Sequence, residues 1–435
     1  MSISARDYYS YAFHCDRPLL GNPMKTGAIQ SAFAAAVILL LATVVVYWPV
    51  RHGGYLWDDR ALIVDNAMVQ APDGLAHFWF TTEAPDYYPL TSSLYWLEWR
   101  MWGDCATGYH MINVLLHAVN ALLVWWVLFR LNIPGAWLAA LVFAVHPVNV
   151  ATVGWVSEQK NTLSMLFYLL SLLAYLRFIR KKDWRAYSCS LVMFVLALLS
   201  KSAVVMEPVV LLLCVWWIRQ RVERPDVAAT LPFFALSLAA GLTTLWFQFV
   251  GSLHGRDIRM VGFAGRLATA GWIPWFYFFK AVLPVNLNVI YPKWEVDPGQ
   301  WESWVPLAAL AICFGIFWRR RETWGRAALF AMGYFVVMLF PVLGFFDQGF
   351  YAKSLVSDHW QYYSIVGVIA LAVASSDKAC DRIFHGRPPG QNHSRRIGLP
   401  GTGNWHVATQ RSVREPRAVV ERYPGTKSRC LGHAK

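Results

Sequence analysis

A chain of 435 residues could hold several soluble domains, but 57% hydrophobic against only 15% charged residues and a mean hydropathy of +0.36 argue against that; globular chains carry about 25% charge. The formal charge of +13 and seven singly scattered cysteines without Cys-x-x-Cys spacing argue against a disulfide framework or a zinc site. Apolar runs recur from residue 29 to residue 374 with short polar gaps, which predicts an all-α, polytopic membrane helix bundle of ten to twelve spans.

Residues 1–28 read as a cytoplasmic N-terminal segment. Residues 29–50 are too long an apolar run for a signal-peptide core and lack a small-residue cleavage pattern, so they read as a retained span. An outer loop follows over 51–108 and opens with Tyr55-Leu56-Trp57-Asp58-Asp59. Two Trp-rich stretches in it, 74–81 and 92–102, read as helices lying at the membrane surface, where amphipathic aromatic rings are favoured, and they would roof a lateral opening for a lipid tail.

A second span, 110–130, carries His110, Asn113, His117 and Asn120 within an arc of roughly 80° on a helix of 3.6 residues per turn. Such a stripe either fixes helix packing through interhelical hydrogen bonds or walls a hydrated cavity. His146-Pro147-Val148 closes a third span (136–152), and Ser157-Glu158-Gln159-Lys160-Asn161 opens a fourth (161–176). The turn between them presents His146, Glu158 and Lys160 together, which is a functional reading by default near a bilayer, or else a structural Glu158–Lys160 pair at a helix start.

Further spans are expected at 186–200, 203–218, 230–250, 303–318, 327–346 and 363–375. Lys and Arg gather in three clusters: Arg177, Arg180, Lys181, Lys182 and Arg185; Arg219, Arg221 and Arg224; Arg319, Arg320, Arg321 and Arg326. Because cytoplasmic loops collect such residues, these turns read as inside and 51–108 as outside. The apolar stretch 267–283 breaks the parity and must be re-entrant, interfacial or paired with another crossing. Arg256 and Arg259 stand on the outer side against the trend and suit an anion, since a guanidinium fork matches phosphate; Lys201 and Lys280 would join them or else snorkel at helix ends.

The adjacent Asp58 and Asp59 are the leading catalytic candidates. A sugar on a phosphate already has a good leaving group, so transfer needs a carboxylate to deprotonate an acceptor hydroxyl and cations to meet the departing phosphate. Neighbouring carboxylates cannot flank opposite faces of one sugar as a glycosidase pair does, so one is the base and the other orients the loop or the acceptor. Two carboxylates alone make a poor all-protein metal site, so no metal is expected; turn capping is the competing reading.

Taken in order, Trp57-Asp58-Asp59 with Asn66, Tyr88-Pro89-Leu90-Thr91, Gly108-Tyr109-His110 with Asn113, His117 and Asn120, His146-Pro147-Val148, Glu158 to Asn161, Ser200-Lys201 and Asp358-His359-Trp360-Gln361-Tyr362 resemble the membrane half of the tetratricopeptide-repeat O-mannosyltransferases of the GT-C class. The resemblance covers about residues 30 to 375. It implies a GT-C-like domain over 29–375 that takes a sugar, mannose in the studied branch, from a polyprenyl-phosphate donor to a protein hydroxyl on the outer face. The lipid-linked sugar would be the co-substrate and no cofactor is required. Asp58 and Asp59 match the acidic motif, and Asp358 and His359 join the substrate-binding candidates. The setting expected is a bacterial inner membrane, with membrane lipid as a partner and no nucleic acid, for which no motif exists.

The sequence departs from that pattern at Ala151, where relatives often carry an acid, and at Gln159-Lys160-Asn161, often Arg-Lys-Asp. No 34-residue repeat follows. Residues 376–435 form a basic tail with twelve Lys and Arg against four acids after Ser376; it reads as a frameshift or truncation product, or as a binder of anionic lipid. A catalytically inactive scaffold and a transporter of a lipid-linked or small polar substrate stay open as alternatives.

Overall fold

The computed structural model describes residues 26–253 and 261–385. Most of the basic tail, the frameshift reading attached to it, nearly all of the N-terminal segment, and Arg256 and Arg259 lie outside the described residues. Among those described there is no strand.

The chain can be traced by which end of each helix meets the Asp59 loop. Helix α1 (Thr26–Tyr47) is an uncharged Ala/Leu/Val run that leads to it. Three short helices follow in the loop, α2 (Ala67–Gln70), α3 (Gly74–Phe80) and α4 (Pro89–Trp102). Helix α5 (Ala106–Arg130) runs away from the loop, and α6 (Ala136–Val145) returns to His146 and the short α7 (Val150–Val153). Helix α8 (Gln159–Lys181) descends and α9 (Trp184–Ser200) climbs back. Their turn is fixed by Lys182 at a left-handed φ of 53° and by Asp183, whose carboxylate accepts from the N–H groups of Arg185 and Ala186. Helices α10 (Glu207–Arg219) and α11 (Arg224–Phe247) repeat the excursion, turning at a capping box formed by Glu223 and Asp226. Helix α13 (Val305–Arg319) descends, α14 (Gly325–Leu339) ascends and α15 (Ile365–His385) descends again. The three basic clusters thus sit at the end of the bundle opposite the Asp59 loop.

Seven described segments are long and apolar enough to cross a membrane, eight if α6 and the stretch after His146, bent by 47°, form one span. The chain is therefore an integral, multi-pass membrane protein. The shortfall from ten to twelve has local causes: α9 has only 17 residues, and α15 carries Asp377 and Lys378.

Helix α12 (Phe263–Val282) explains the broken parity. Arg266 in its first turns pairs with Asp347 at 2.8 Å, and the carbonyl of Ala281 in its last turn meets His146 Nε2 at 3.1 Å. Asp347 follows the ascending α14 and His146 follows the ascending α6, so both ends of α12 lie on one side. The helix runs across the bundle, which a stretch rich in Phe and Trp and interrupted by Pro274 tolerates better than a through-span does.

The polar stripe of α5 faces inward. Asn113 Nδ2 donates to the carbonyls of Thr152, Val153 and Trp155 at 3.0, 3.0 and 3.1 Å, and its Oδ1 accepts from Thr162 Oγ1 at 2.6 Å. His117 bridges Tyr362 OH (2.8 Å) and the Ala144 carbonyl (3.0 Å), and Asn120 donates to the Thr162 carbonyl at 2.8 Å. Pro147 breaks the helix after Val145, and the short α7 ends at Val153, so carbonyls on both sides of the break need partners in a buried bundle, and the stripe supplies the donors. Asn113→Leu is accordingly expected to destabilise by about 1–3 kcal/mol per stranded partner, read as a fall in Tm of detergent-purified protein.

Candidate active site

The loop after α1 is anchored by Asp59. Its side chain is fully buried; Oδ2 accepts from the Leu56 N–H at 2.8 Å and Oδ1 from the Ser157 N–H at 2.7 Å. Burial raises its carboxyl above the ordinary range and those two N–H groups oppose the rise. Asp58 faces outward and is exposed. The two carboxylates that look equivalent in sequence thus differ: Asp59 ties the outer loop to the head of α8, while Asp58 is open to solvent.

Lys160 and Asp86 lie within electrostatic reach of Asp58, and a buried network of further charged side chains stands around them. Glu158 is buried, and its Oε1 lies 3.2 Å from Lys160 Nζ while its Oε2 lies 3.2 Å from Lys201 Nζ. Asn161 Nδ2 also donates to Oε2 at 2.5 Å. Two ammonium groups thus share one buried carboxylate. Asp86 lies within electrostatic reach of Lys160, Lys201 and Asp58; burial raises its carboxyl, which Lys160, a hydrogen bond from Gln248 Nε2 (2.8 Å) and Lys201 counter. Glu98 on α4 sits one layer behind, where its Oε1 accepts from Gln159 Nε2 at 2.8 Å.

The lid carrying these groups has its own small core of Ile63, Val69, Phe78, Ala84, Tyr95, Tyr109 and Val156. The two Trp-rich stretches do form helices, α3 and α4, and their indoles are tied down: Trp79 Nε1 donates to Ser93 Oγ and Trp96 Nε1 to the Ala71 carbonyl, both at 2.9 Å. Thr91 Oγ1 donates to the Ser200 carbonyl at 2.8 Å, which seats the lid beside Lys201.

The other sequence candidates divide clearly. Lys201 joins Glu158 and Lys160, as does His359, whose Nε2 is 3.8 Å from Glu158 Oε1; burial lowers the His359 imidazole to about 3, so the pair is not ionic. Lys280 does not join: its Nζ donates to the carbonyls of Val285 and Asn286 at 2.8 and 2.9 Å. His146 turns away from Glu158 toward α12, capping Val148 N–H through Nδ1 at 3.3 Å. Asp358 holds the 286–291 loop, accepting from Asn288 N–H at 2.5 Å and Tyr291 OH at 2.9 Å. His110 lies under Gly53, where a Cβ would come within 3.0 Å of its Nε2. Asn113 and His117 are held in hydrogen bonds between helices.

Sequence reading missed Asp86, Gln248 and Lys353. Asp86 stands two residues before the Tyr88-Pro89-Leu90-Thr91 string in the same outer loop, and that neighbourhood was the available signal.

A buried acid bonded through one oxygen gives a pH prediction. Glu98 Oε2 has no partner among the described residues, and burial pushes the carboxyl from 4.5 up to about 8. A raised folded value stabilises the protonated fold, so the contribution is complete below about pH 4.5 and is lost as pH rises through about 8. Glu98→Gln should flatten the fall of Tm between pH 5 and 9 relative to wild type.

A carboxylate open to solvent beside a buried two-lysine cluster is the arrangement against which the matches to known proteins can be set. Residues 85–247 match the family of dolichyl-phosphate-mannose-protein mannosyltransferases. That mannosyltransferase-like segment contains Asp86, Glu158, Lys160 and Lys201 and stops short of Asp58 and Asp59. The chain is similar to a protein O-mannosyl-transferase of Caenorhabditis elegans, 25% identical over 62% of this chain and 41% of that protein. It is also similar to protein O-mannosyl-transferase Tmtc1 of Drosophila melanogaster, 30% identical over 46% of this chain and 24% of that protein, and to TMTC4 of Homo sapiens, 30% identical over 36% and 25%. The chain thus spans between about a quarter and two fifths of the length of these relatives. No solved structure matches it.

Proposed function

We propose that this protein is a glycosyltransferase that moves a mannosyl group from a polyprenyl-phosphate donor to a protein hydroxyl, at the face opposite its basic turns. The observation that carries this reading is the Lys160–Glu158–Lys201 cluster beside the free Asp58. The acceptor oxygen attacks the anomeric carbon, the bond from that carbon to the phosphate oxygen breaks, and its electron pair leaves with the phosphate. Asp58 takes the hydroxyl proton, and Lys160 and Lys201 meet the charge that grows on the phosphate. A positioned base is worth about 10² to 10⁴-fold, and fixed charges aimed at developing charge contribute on a similar or larger scale. Asp59 takes no part in proton transfer; its two backbone bonds hold Asp58 in register with the α8 head. The family match supports the sugar chemistry, and the O-mannosyl-transferase names of the relatives favour mannose and a protein acceptor. A bacterial inner membrane is the proposed setting.

The test is release of labelled mannose from polyprenyl-phosphate mannose by the detergent-purified protein, which needs no known acceptor because water can replace it. Release that is lost in Lys160→Met together with Lys201→Met supports the reading; an inert wild type that binds no donor refutes it.

A further inference from the structure

Trp57 has a φ of +40°, a left-handed backbone that a residue with a Cβ adopts only when its surroundings hold it there. It immediately precedes Asp58. On the other side, Asp59 is bolted to the Leu56 and Ser157 N–H groups, so Asp58 is fixed from behind and its aim depends on Trp57. The Trp57 ring lies 6.2 Å from Trp155 and 6.5 Å from Phe350, centroid to centroid, and is 48% exposed. The Lys353 ammonium stands 4.0 Å from its centroid. Lys353 is exposed, and its ammonium has no carboxylate within ion-pair distance among the described residues. The segment that carries it, Gly349–Ala352 and the residue after, is anchored at its start by Gln248, whose Oε1 accepts from the Gly349 N–H at 3.1 Å while its Nε2 donates to Asp86.

From this geometry we infer that Lys353 is a positioning residue: its ammonium pins the Trp57 indole, and the pinned Trp57 aims Asp58 at the reacting hydroxyl. The inference rests on the proposed transferase reading and adds a residue to that site. A cation over an indole attracts through the ring quadrupole, so Arg should replace Lys and Met, which keeps the stem without the charge, should not. Gln248 then couples the two sides of the opening, since one side chain holds both Asp86 and the start of the Lys353 segment.

The experiment compares Lys353→Met, Lys353→Arg, Trp57→Leu and the Lys353→Met/Trp57→Leu pair in donor cleavage by the full chain, with Asp58→Asn alongside. Lys353→Met should lower kcat about fivefold with KM for the donor unchanged, Lys353→Arg should stay near wild type, and the pair should be no worse than Trp57→Leu alone, as coupled contacts require. A raised KM with additive losses would make Lys353 a donor-phosphate ligand and overturn the inference. So would unchanged kcat in Lys353→Met while Asp58→Asn is inactive. A wild type without turnover defeats the parent reading instead, and fluorine NMR of fluorotryptophan-labelled protein then decides. The Trp57 signal, assigned by its loss in Trp57→Phe, should move in Lys353→Met and not in Lys353→Arg; a signal unmoved in both overturns the pinning.

Discussion

Asp58→Asn is expected to cut donor cleavage by about 10² to 10⁴-fold with little change in Tm, whereas Asp59→Asn should lower Tm first and activity as a consequence. The exposed Asp58 side chain can become an amide of the same shape at a cost within about 0.5 kcal/mol, typical of surface changes. What it loses is the ability to accept a proton. Asp59 is the reverse case. Each of its oxygens accepts a backbone N–H, and an amide in its place must turn an NH₂ toward one of them. Losing one hydrogen bond to a charged acceptor costs about 1.5–3 kcal/mol, and the register between the outer loop and Ser157 goes with it. Asp86→Asn keeps an oxygen for Gln248 and should fall between the two in activity. Kinetics and thermal unfolding on the same three preparations check this; an Asp58→Asn protein with wild-type turnover, beside an inactive Asp86→Asn, would transfer the base to Asp86.

Why the sequence allowed part of this and not the rest follows from how polar groups compete inside a bundle. Apolar runs without charge locate α1, α5 and α11, because backbone polar groups in lipid leave a helix as the solution. The Asp58-Asp59 and Glu158-to-Asn161 strings are legible because carboxylates and lysines at span ends are expensive unless paired or used. A sequence does not show which backbone carbonyls a broken helix leaves open. Pro147 frees the carbonyls of the turn before it, one of which, Ala144, meets His117, and the end of α7 at Val153 leaves those of Thr152, Val153 and Trp155 open; Asn113 takes these three, and a stripe that could line a cavity becomes packing. His146 and Asp358 are diverted the same way, to Ala281 and to Asn288 with Tyr291. Asp86, Gln248 and Lys353 escaped notice because each is an isolated polar residue whose meaning comes from partners far along the chain. The transverse α12 was visible only as a failure of parity, since hydropathy carries length but not direction.

Glu158→Gln is expected to be the most damaging single substitution in the site, for stability and activity together. The side chain of Glu158 is 3% exposed, and those of Lys160 and Lys201 are 16% and 15% exposed, so solvent screens the three charges only weakly. With the carboxylate gone, both ammonium groups lose the ion pair they share and keep only the more distant Asp86, and breaking a buried charge pair in this way costs about 3–5 kcal/mol. That exceeds the cost at Asp59, where only one of two hydrogen bonds is lost. Lys201→Met should be milder for folding, because Glu158 keeps Lys160, yet it removes one of the two cations proposed for the phosphate and should depress cleavage. The pair Glu158→Gln/Lys201→Met then separates the two roles. Removing one cation along with the carboxylate should recover most of the lost Tm, while cleavage stays as low as in Lys201→Met. A Glu158→Gln protein with wild-type Tm and turnover would mean that neither lysine depends on the carboxylate, and the two-cation site for the departing phosphate would have to be given up.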